Sequence, residues 1–142
     1  MNPLSSSQIV SSTQRIQFPL SIQVVMIDLD GTLLDTAADL ALSANLMLKE
    51  LGMPEQSVST IQSYIGKGIQ KLVKRTLTGQ LDGEPDTALF SKALPIYEKY
   101  YAEHLSDNTR PYPGVIEGIQ SMQQAGFKLA CITNKAEAFT LP

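Results

Sequence analysis

The sequence predicts an α/β fold in which two short apolar strands flank a long helical segment. The first observation is a continuous apolar run, Val24–Ile27, which ends in an acidic loop that contains glycine. The second is a similar run over residues 127–133, which follows a helical pattern and Gly126. Strands without polar alternation are typical of parallel sheets that are buried on both faces. The layout therefore indicates a strand–helix–strand crossover with an insertion after its first strand.

A helical insert is predicted between the two strands, because apolar residues recur there at helical spacing. Three such stretches cover residues 40–51, 61–77 and 89–101. Gly52 is a stop signal for the first stretch, and Pro95 inside the third should kink or break its helix. We therefore expect a small helical bundle at this place in the chain.

The chain divides at changes in composition. Residues 1–20 are rich in Ser and Gln and lack acidic side chains, which favours a flexible N-terminal extension. The Pro- and Gly-containing segment 110–114 is a strong boundary signal. We therefore expect an α/β core made of residues 21–36 and 113–142, with the helical insert at 37–112.

Composition excludes several classes of protein. The 142 residues carry a net charge of −3 and are 43% hydrophobic, which is ordinary for a globular protein. This charge gives no general reason to expect nucleic-acid binding, and no apolar run approaches the roughly 20 residues that span a bilayer. The single cysteine, Cys131, lies in the second predicted strand, where we expect it to pack, and fits a reducing compartment. We therefore expect a cytoplasmic protein that binds neither nucleic acid nor a membrane.

Two acidic side chains follow the first predicted strand. Asp28 and Asp30 lie at its carboxyl end, where open α/β sheets bind their ligands. One carboxylate can act as a nucleophile and the other as a proton donor if their environments differ. Oxygen ligands of this kind also suit Mg²⁺. Gly31 lets the backbone turn sharply and approach a ligand closely. For a short Asp-x-Asp-Gly string alone, an ordinary turn is an equally good interpretation.

The full string DLDGTLLDT, residues 28–36, resembles the first signature of the haloacid dehalogenase superfamily. The resemblance implies a Rossmann-like core with an inserted helical cap. It also implies that Asp28 attacks phosphorus and forms an aspartyl-phosphate, and that Asp30 is the general acid/base. The Asp28 carboxylate and the Asp30 backbone carbonyl would hold Mg²⁺.

The end of the second strand matches the second signature of that superfamily, a Ser or Thr at a strand end. Thr133 and Asn134 occupy this position. A hydroxyl and backbone N–H groups bind phosphate oxygens, so we assign Thr133, Asn134 and Gly31 to phosphate binding. Lys135 does not replace the third-signature lysine of the family, and we expect it to be solvated.

The helical insert resembles the cap of the phosphoglycolate phosphatase branch of the superfamily. The strings at residues 36–40, 65–68 and 133–135 carry this resemblance. It implies a loop that closes over a small phosphorylated organic acid, with Gly66 and Gly68 forming the tight turn and Lys67 meeting a substrate anion. An ordinary interhelical turn with an exposed lysine is an equally good interpretation.

The resemblance stops after the second signature, since only residues 136–142 follow it. The family's third-signature lysine and fourth-signature acidic residues are therefore not in this sequence. We expect the N-terminal part of a phosphatase, with little or no turnover by itself and an exposed apolar strand edge. Open alternatives are another small-molecule phosphatase, a pyrophosphatase, a sugar-phosphate mutase, or a non-catalytic interaction module. The oligomeric state is not predicted.

Overall fold

The computed structural model describes residues 21–141, so the N-terminal extension predicted at residues 1–20 lies outside the described part. Four consecutive helices lie between two pairs of short strands, and a further helix follows each strand of the second pair. Their order is β1 (Val24–Ile27), β2 (Leu34–Asp35), α1 (Ala37–Glu50), α2 (Val58–Gln62), α3 (Gly68–Thr78), α4 (Thr87–Glu103), β3 (Arg110–Pro111), α5 (Val115–Gln124), β4 (Lys128–Cys131) and α6 (Glu137–Thr140).

Strands β1 and β4 pair in parallel, which confirms the predicted crossover. Val24 lies opposite Lys128 and Ile27 lies opposite Cys131. The pairing continues one step further, since the N–H of Ile132 donates to the Ile27 carbonyl at 2.9 Å. The carboxyl ends of both strands therefore meet at the same edge of the sheet, where the polar loops begin.

A second, very short ladder joins the two ends of the helical insert. Strands β2 and β3 pair antiparallel, with Leu34 opposite Pro111 and Asp35 opposite Arg110. Two-residue strands have no alternation pattern, so this ladder could not be predicted from the sequence. The chain thus enters and leaves the insert at adjacent positions.

The buried core of the described residues lies within the helical insert. Apolar side chains of α1, α2, α3 and α4 and of the turn after α2 pack into one cluster. Its members are Leu40, Ala41, Ala44, Met47, Leu48, Ile61, Tyr64, Leu72, Val73, Leu77, Ala93, Tyr97 and Tyr101. Helix α4 continues through Pro95, so the predicted break does not occur. Among residues 21–141, no helix combines the length and apolarity needed to cross a membrane.

The prediction that both parallel strands are buried on two faces is wrong for this structure. Val24 is 47% exposed, Met26 64% and Ile132 56%. Cys131, expected to pack inside the sheet, is also exposed. The sheet of β1 and β4 has two strands, so few neighbours cover its faces. The predicted exposed apolar edge is confirmed.

We expect Met26→Lys to reduce self-association of the chain, because exposed apolar strands promote edge and face contacts between molecules. Sedimentation velocity over a range of protein concentrations measures this. The matched control is Leu81→Lys, which places the same charge on an apolar side chain that is 53% exposed in a loop of the insert. If both substitutions reduced self-association equally, the added charge and not the loss of an apolar side chain on the strand would explain the reduction.

Candidate active site

The loop after β1 is a tight turn organised around one carbonyl. The Leu29 carbonyl accepts from the N–H groups of Leu33 and Leu34, both at 3.0 Å, and from Thr32 at 3.3 Å. Gly31 has a φ of +82°, a left-handed conformation that side chains with a Cβ rarely adopt. This turn ends the strand abruptly and leaves the two aspartates at the ligand-facing edge of the sheet.

The loop after β4 orients a hydroxyl. The backbone N–H of Lys135 donates to Thr133 Oγ1 at 3.1 Å, so a lone pair of this oxygen is occupied. The hydroxyl proton of Thr133 is thereby left for another acceptor, such as a phosphate oxygen. Asn134 faces the insert, where its Nδ2 donates to the Gly66 carbonyl at 3.2 Å.

A cleft lies between these two loops and the helical insert. Polar side chains line its sheet side and apolar side chains line its insert side. The lining residues are Asp28, Asp30, Leu40, Ile65, Gly66, Gly68, Ile69, Leu72, Tyr101, Thr133, Asn134 and Lys135. Most of the site residues predicted from the sequence thus share one cleft.

The two carboxylates have different surroundings, as a division of roles requires. Asp28 is exposed, whereas the Asp30 side chain is 17% exposed. Asp30 Oδ1 is buried and has no hydrogen-bond partner among residues 21–141. The nearest cation is the Lys135 ammonium, whose Nζ lies 3.6 Å from this oxygen.

Lys135 is not solvated, contrary to the interpretation from sequence. Its side chain is 7% exposed, and its ammonium donates a hydrogen bond to the Tyr101 hydroxyl. Sequence reasoning missed this contact because Tyr101 belongs to α4, 34 residues earlier in the chain. The burial of Lys135 depends on how the insert packs over the loop after β4.

Tyr101 forms part of both the helical core and the cleft. Its ring lies 5.7 Å from that of Tyr97 and 5.1 Å from that of Phe139, measured between centroids. Burial raises the pKa of Tyr101 above its ordinary value of 10.0, and the Asp30 and Asp39 carboxylates raise it further. The hydroxyl therefore stays neutral at physiological pH and accepts a hydrogen bond from Lys135.

Two of the predicted site residues lie outside the cleft lining. The N–H of Gly31 donates to the Leu34 carbonyl at 2.8 Å, and Gly31 lines a neighbouring groove. Lys67 lines another groove, together with Glu98. The structure thus gives Gly31 a role in the turn, and it brings Gly66 and Gly68, but not Lys67, to the cleft.

The oxygen donors near β1 fit Mg²⁺ in kind but are few. Asp28 and Asp30 supply carboxylates at the cleft, and the orphaned Asp30 Oδ1 lacks a hydrogen-bond partner within the described range. Residues 21–141 contain no group of three or more His, Cys, Asp or Glu side chains arranged to hold a metal ion. Among the described residues, Asp28 and Asp30 are therefore the candidate ligands for a metal ion at this cleft.

The fold and the cleft define a class of protein. The profile of the haloacid dehalogenase-like hydrolases matches residues 25–141. The chain belongs to this family, as the signature at residues 28–36 predicted.

Two relatives within the family are named phosphoglycolate phosphatase. The chain is 65% identical over 127 residues to a phosphoglycolate phosphatase of Nitrosospira multiformis, covering 89% of this chain and 56% of that protein. It is 58% identical over 125 residues to a phosphoglycolate phosphatase of Thiobacillus denitrificans, covering 88% of this chain and 55% of that protein. The chain therefore spans about half the length of these relatives.

A solved structure agrees with the fold. A predicted phosphoglycolate phosphatase from Haemophilus somnus superposes with a TM-score of 0.73 at 33% identity. The match covers 82% of this chain and 53% of that one. The α/β architecture with a helical insert is thus shared with about half of that solved structure.

Proposed function

We propose that this chain is the N-terminal part of a phosphatase that hydrolyses a small phosphomonoester, 2-phosphoglycolate, to glycolate and phosphate. The observation that carries the proposal is the convergence of Asp28, Asp30 and Thr133 on one cleft at the carboxyl edge of a parallel sheet. Relatives at 65% and 58% identity that are named phosphoglycolate phosphatase supply the substrate.

In this mechanism the Asp28 carboxylate attacks phosphorus, and the bond from phosphorus to the ester oxygen breaks. Asp30 gives its proton to the departing oxygen, so that glycolate leaves as an alcohol. Asp30 then takes a proton from water, which attacks the aspartyl-phosphate and restores Asp28. The Thr133 hydroxyl donates to a phosphoryl oxygen throughout.

Mg²⁺ is part of the proposal. The Asp28 carboxylate and the Asp30 carbonyl would hold it, and when bound it would neutralise charge on the phosphoryl group. Residues 37–112 act as the cap, which excludes water from the cleft. The Asn134 amide on the Gly66 carbonyl joins cap and core in the closed arrangement.

The test compares this chain with a version extended by the remaining C-terminal residues of the Nitrosospira multiformis relative. We expect phosphate release from 2-phosphoglycolate with Mg²⁺ in the extended chain and little or none in the short one, because residues 21–141 contain no group of three or more side chains arranged to hold a metal ion. A panel of other phosphomonoesters, pyrophosphate and sugar phosphates is assayed in parallel. Preference for one of these would replace the proposed substrate, and full activity of the short chain would contradict the need for the extension.

A further inference from the structure

One cationic side chain lines the cleft. Of the residues that line the cleft, Lys135 is the single lysine or arginine. Its ammonium sits on the sheet side, beside Asp30 and below the Tyr101 ring. Lys67, the lysine singled out from the sequence, lines a different groove.

The ammonium of Lys135 is fixed by two contacts, but these do not use all of its hydrogen-bond donors. It has three N–H donors, and one of these is used by the Tyr101 hydroxyl. Lys135 Nζ lies 3.6 Å from Asp30 Oδ1, which is close enough for an ion pair but too far for a hydrogen bond. Donors therefore remain for an anion that enters the cleft next to Thr133.

We propose that Lys135 binds the phosphoryl oxygens of the substrate, and that Tyr101 is the positioning residue that holds the Lys135 ammonium at the cleft. This inference rests on the proposed function. A phosphate group that approaches the Asp28 carboxylate meets a like charge in a confined space, and a fixed ammonium offsets that repulsion. Because the side chain is 7% exposed, water screens it little.

Tyr101 is rigid enough for this role. Phe139 and Tyr97 pack on its ring from two sides, and the residue itself is 1% exposed. The hydroxyl is therefore held in one place relative to the loop after β4. Since Tyr101 belongs to the insert and Lys135 to the core, the lysine reaches its binding position only when the two pack together.

The experiment measures binding of inorganic phosphate to the 142-residue chain, without metal, by isothermal titration calorimetry. We expect Lys135→Gln to weaken binding by at least about tenfold, because a buried charge–charge contact is lost. Lys135→Arg keeps the charge and should retain most of the affinity. Tyr101→Phe should weaken binding by about threefold, because the ammonium stays but loses its fixed position.

The matched control is Lys92→Gln, which removes the same charge from an exposed position on α4 and should leave the affinity unchanged. Amide chemical shifts of residues 133–135, recorded with and without phosphate, locate the bound ion. Circular dichroism of each variant verifies folding, and if Lys135→Gln does not fold, the Lys135→Arg and Tyr101→Phe pair decides. Wild-type affinity in Lys135→Gln, equal losses in Lys92→Gln, or no phosphate binding by the unmodified chain would each overturn the inference.

The outcome is separable from that of the proposed function. If Lys135→Gln loses phosphate binding while the extended chain does not hydrolyse 2-phosphoglycolate, the anion site stands and the substrate assignment fails. If the extended chain is active but Lys135→Gln binds phosphate normally, the function stands and the role of Lys135 fails.

Discussion

Asp28→Asn is expected to abolish hydrolysis of 2-phosphoglycolate by the extended chain, lowering kcat roughly 10⁴-fold or more. The amide that replaces the carboxylate has no anionic oxygen to attack phosphorus. Asp28 is the exposed member of the pair and lines the cleft, so its replacement should leave the fold intact. Phosphate release at saturating substrate measures the loss.

Two further variants serve as controls, one for the loss of charge and one for the role of the second aspartate. Asp82→Asn removes the same charge from an exposed loop of the insert and should leave kcat unchanged. Asp30→Asn should still permit attack by Asp28 when the leaving group needs no proton, so p-nitrophenyl phosphate should give a burst of nitrophenolate equal to the enzyme. That burst should be missing in Asp28→Asn, and a burst there would contradict the assignment of the nucleophile.

Asp39→Ala is expected to destabilise the chain by about 3 kcal/mol or more, because several buried charge-assisted hydrogen bonds are lost together. Asp39 is fully buried in α1 and joins the two ends of the insert. Its carboxylate accepts from the backbone N–H groups of Asn108 and Thr109, from Asn108 Nδ2 and from Thr109 Oγ1, at 2.7–3.1 Å. Urea unfolding of the wild type and of Asp39→Ala measures the difference in the free energy of unfolding.

The control for this variant is Asp107→Ala. Asp107 lies next to the same segment, but its contact with His104 is on the surface, with the Asp107 side chain 54% exposed. Exposed ion pairs contribute little, so the control should change the free energy of unfolding by less than about 0.5 kcal/mol. If the two substitutions lowered the free energy of unfolding equally, the Asp39 carboxylate would not be what joins the two ends of the insert.

The same carboxylate makes stability depend on pH. Burial acts to raise the pKa of Asp39, but the hydrogen bonds from Thr109 and Asn108 together outweigh it and hold the pKa below its ordinary value of 3.8. A lowered pKa in the folded state contributes stability above pH 3.8 that is lost as the pH falls through the folded value. We expect unfolding free energies of the wild type and of Asp39→Asn to converge below about pH 4 and to separate above it. A constant difference from pH 3 to pH 7 would contradict this.

Local signals in the sequence predicted much of the fold and the site. The stop signal at Gly52 agrees with the end of α1 at Glu50, and Gly126 follows α5 with a left-handed φ of +85°. The position of Asp28 and Thr133 at parallel strand ends follows from two apolar runs and the crossover between them. These features depend on neighbours along the chain, which a sequence displays directly.

The remaining features depend on partners far apart in the chain. Asp39 meets Asn108 and Thr109 across 69 and 70 positions, and Lys135 meets Tyr101 across 34. A buried acid or lysine has no local pattern that distinguishes it from a solvated one. The exposure of Val24 was also beyond a local argument, because apolar composition predicts burial whether or not covering strands are at hand.

The ladder between β2 and β3 has a consequence for how such proteins change over evolutionary time. The chain enters and leaves the helical insert on two strands that pair with each other. The two ends of the insert are therefore separated by about one strand spacing, roughly 5 Å, which is the distance that any protein carrying this insert has to span. Segments with adjacent ends are readily spliced into a surface turn. Recombination can therefore exchange this bundle for another while the loops after β1 and β4 keep their geometry.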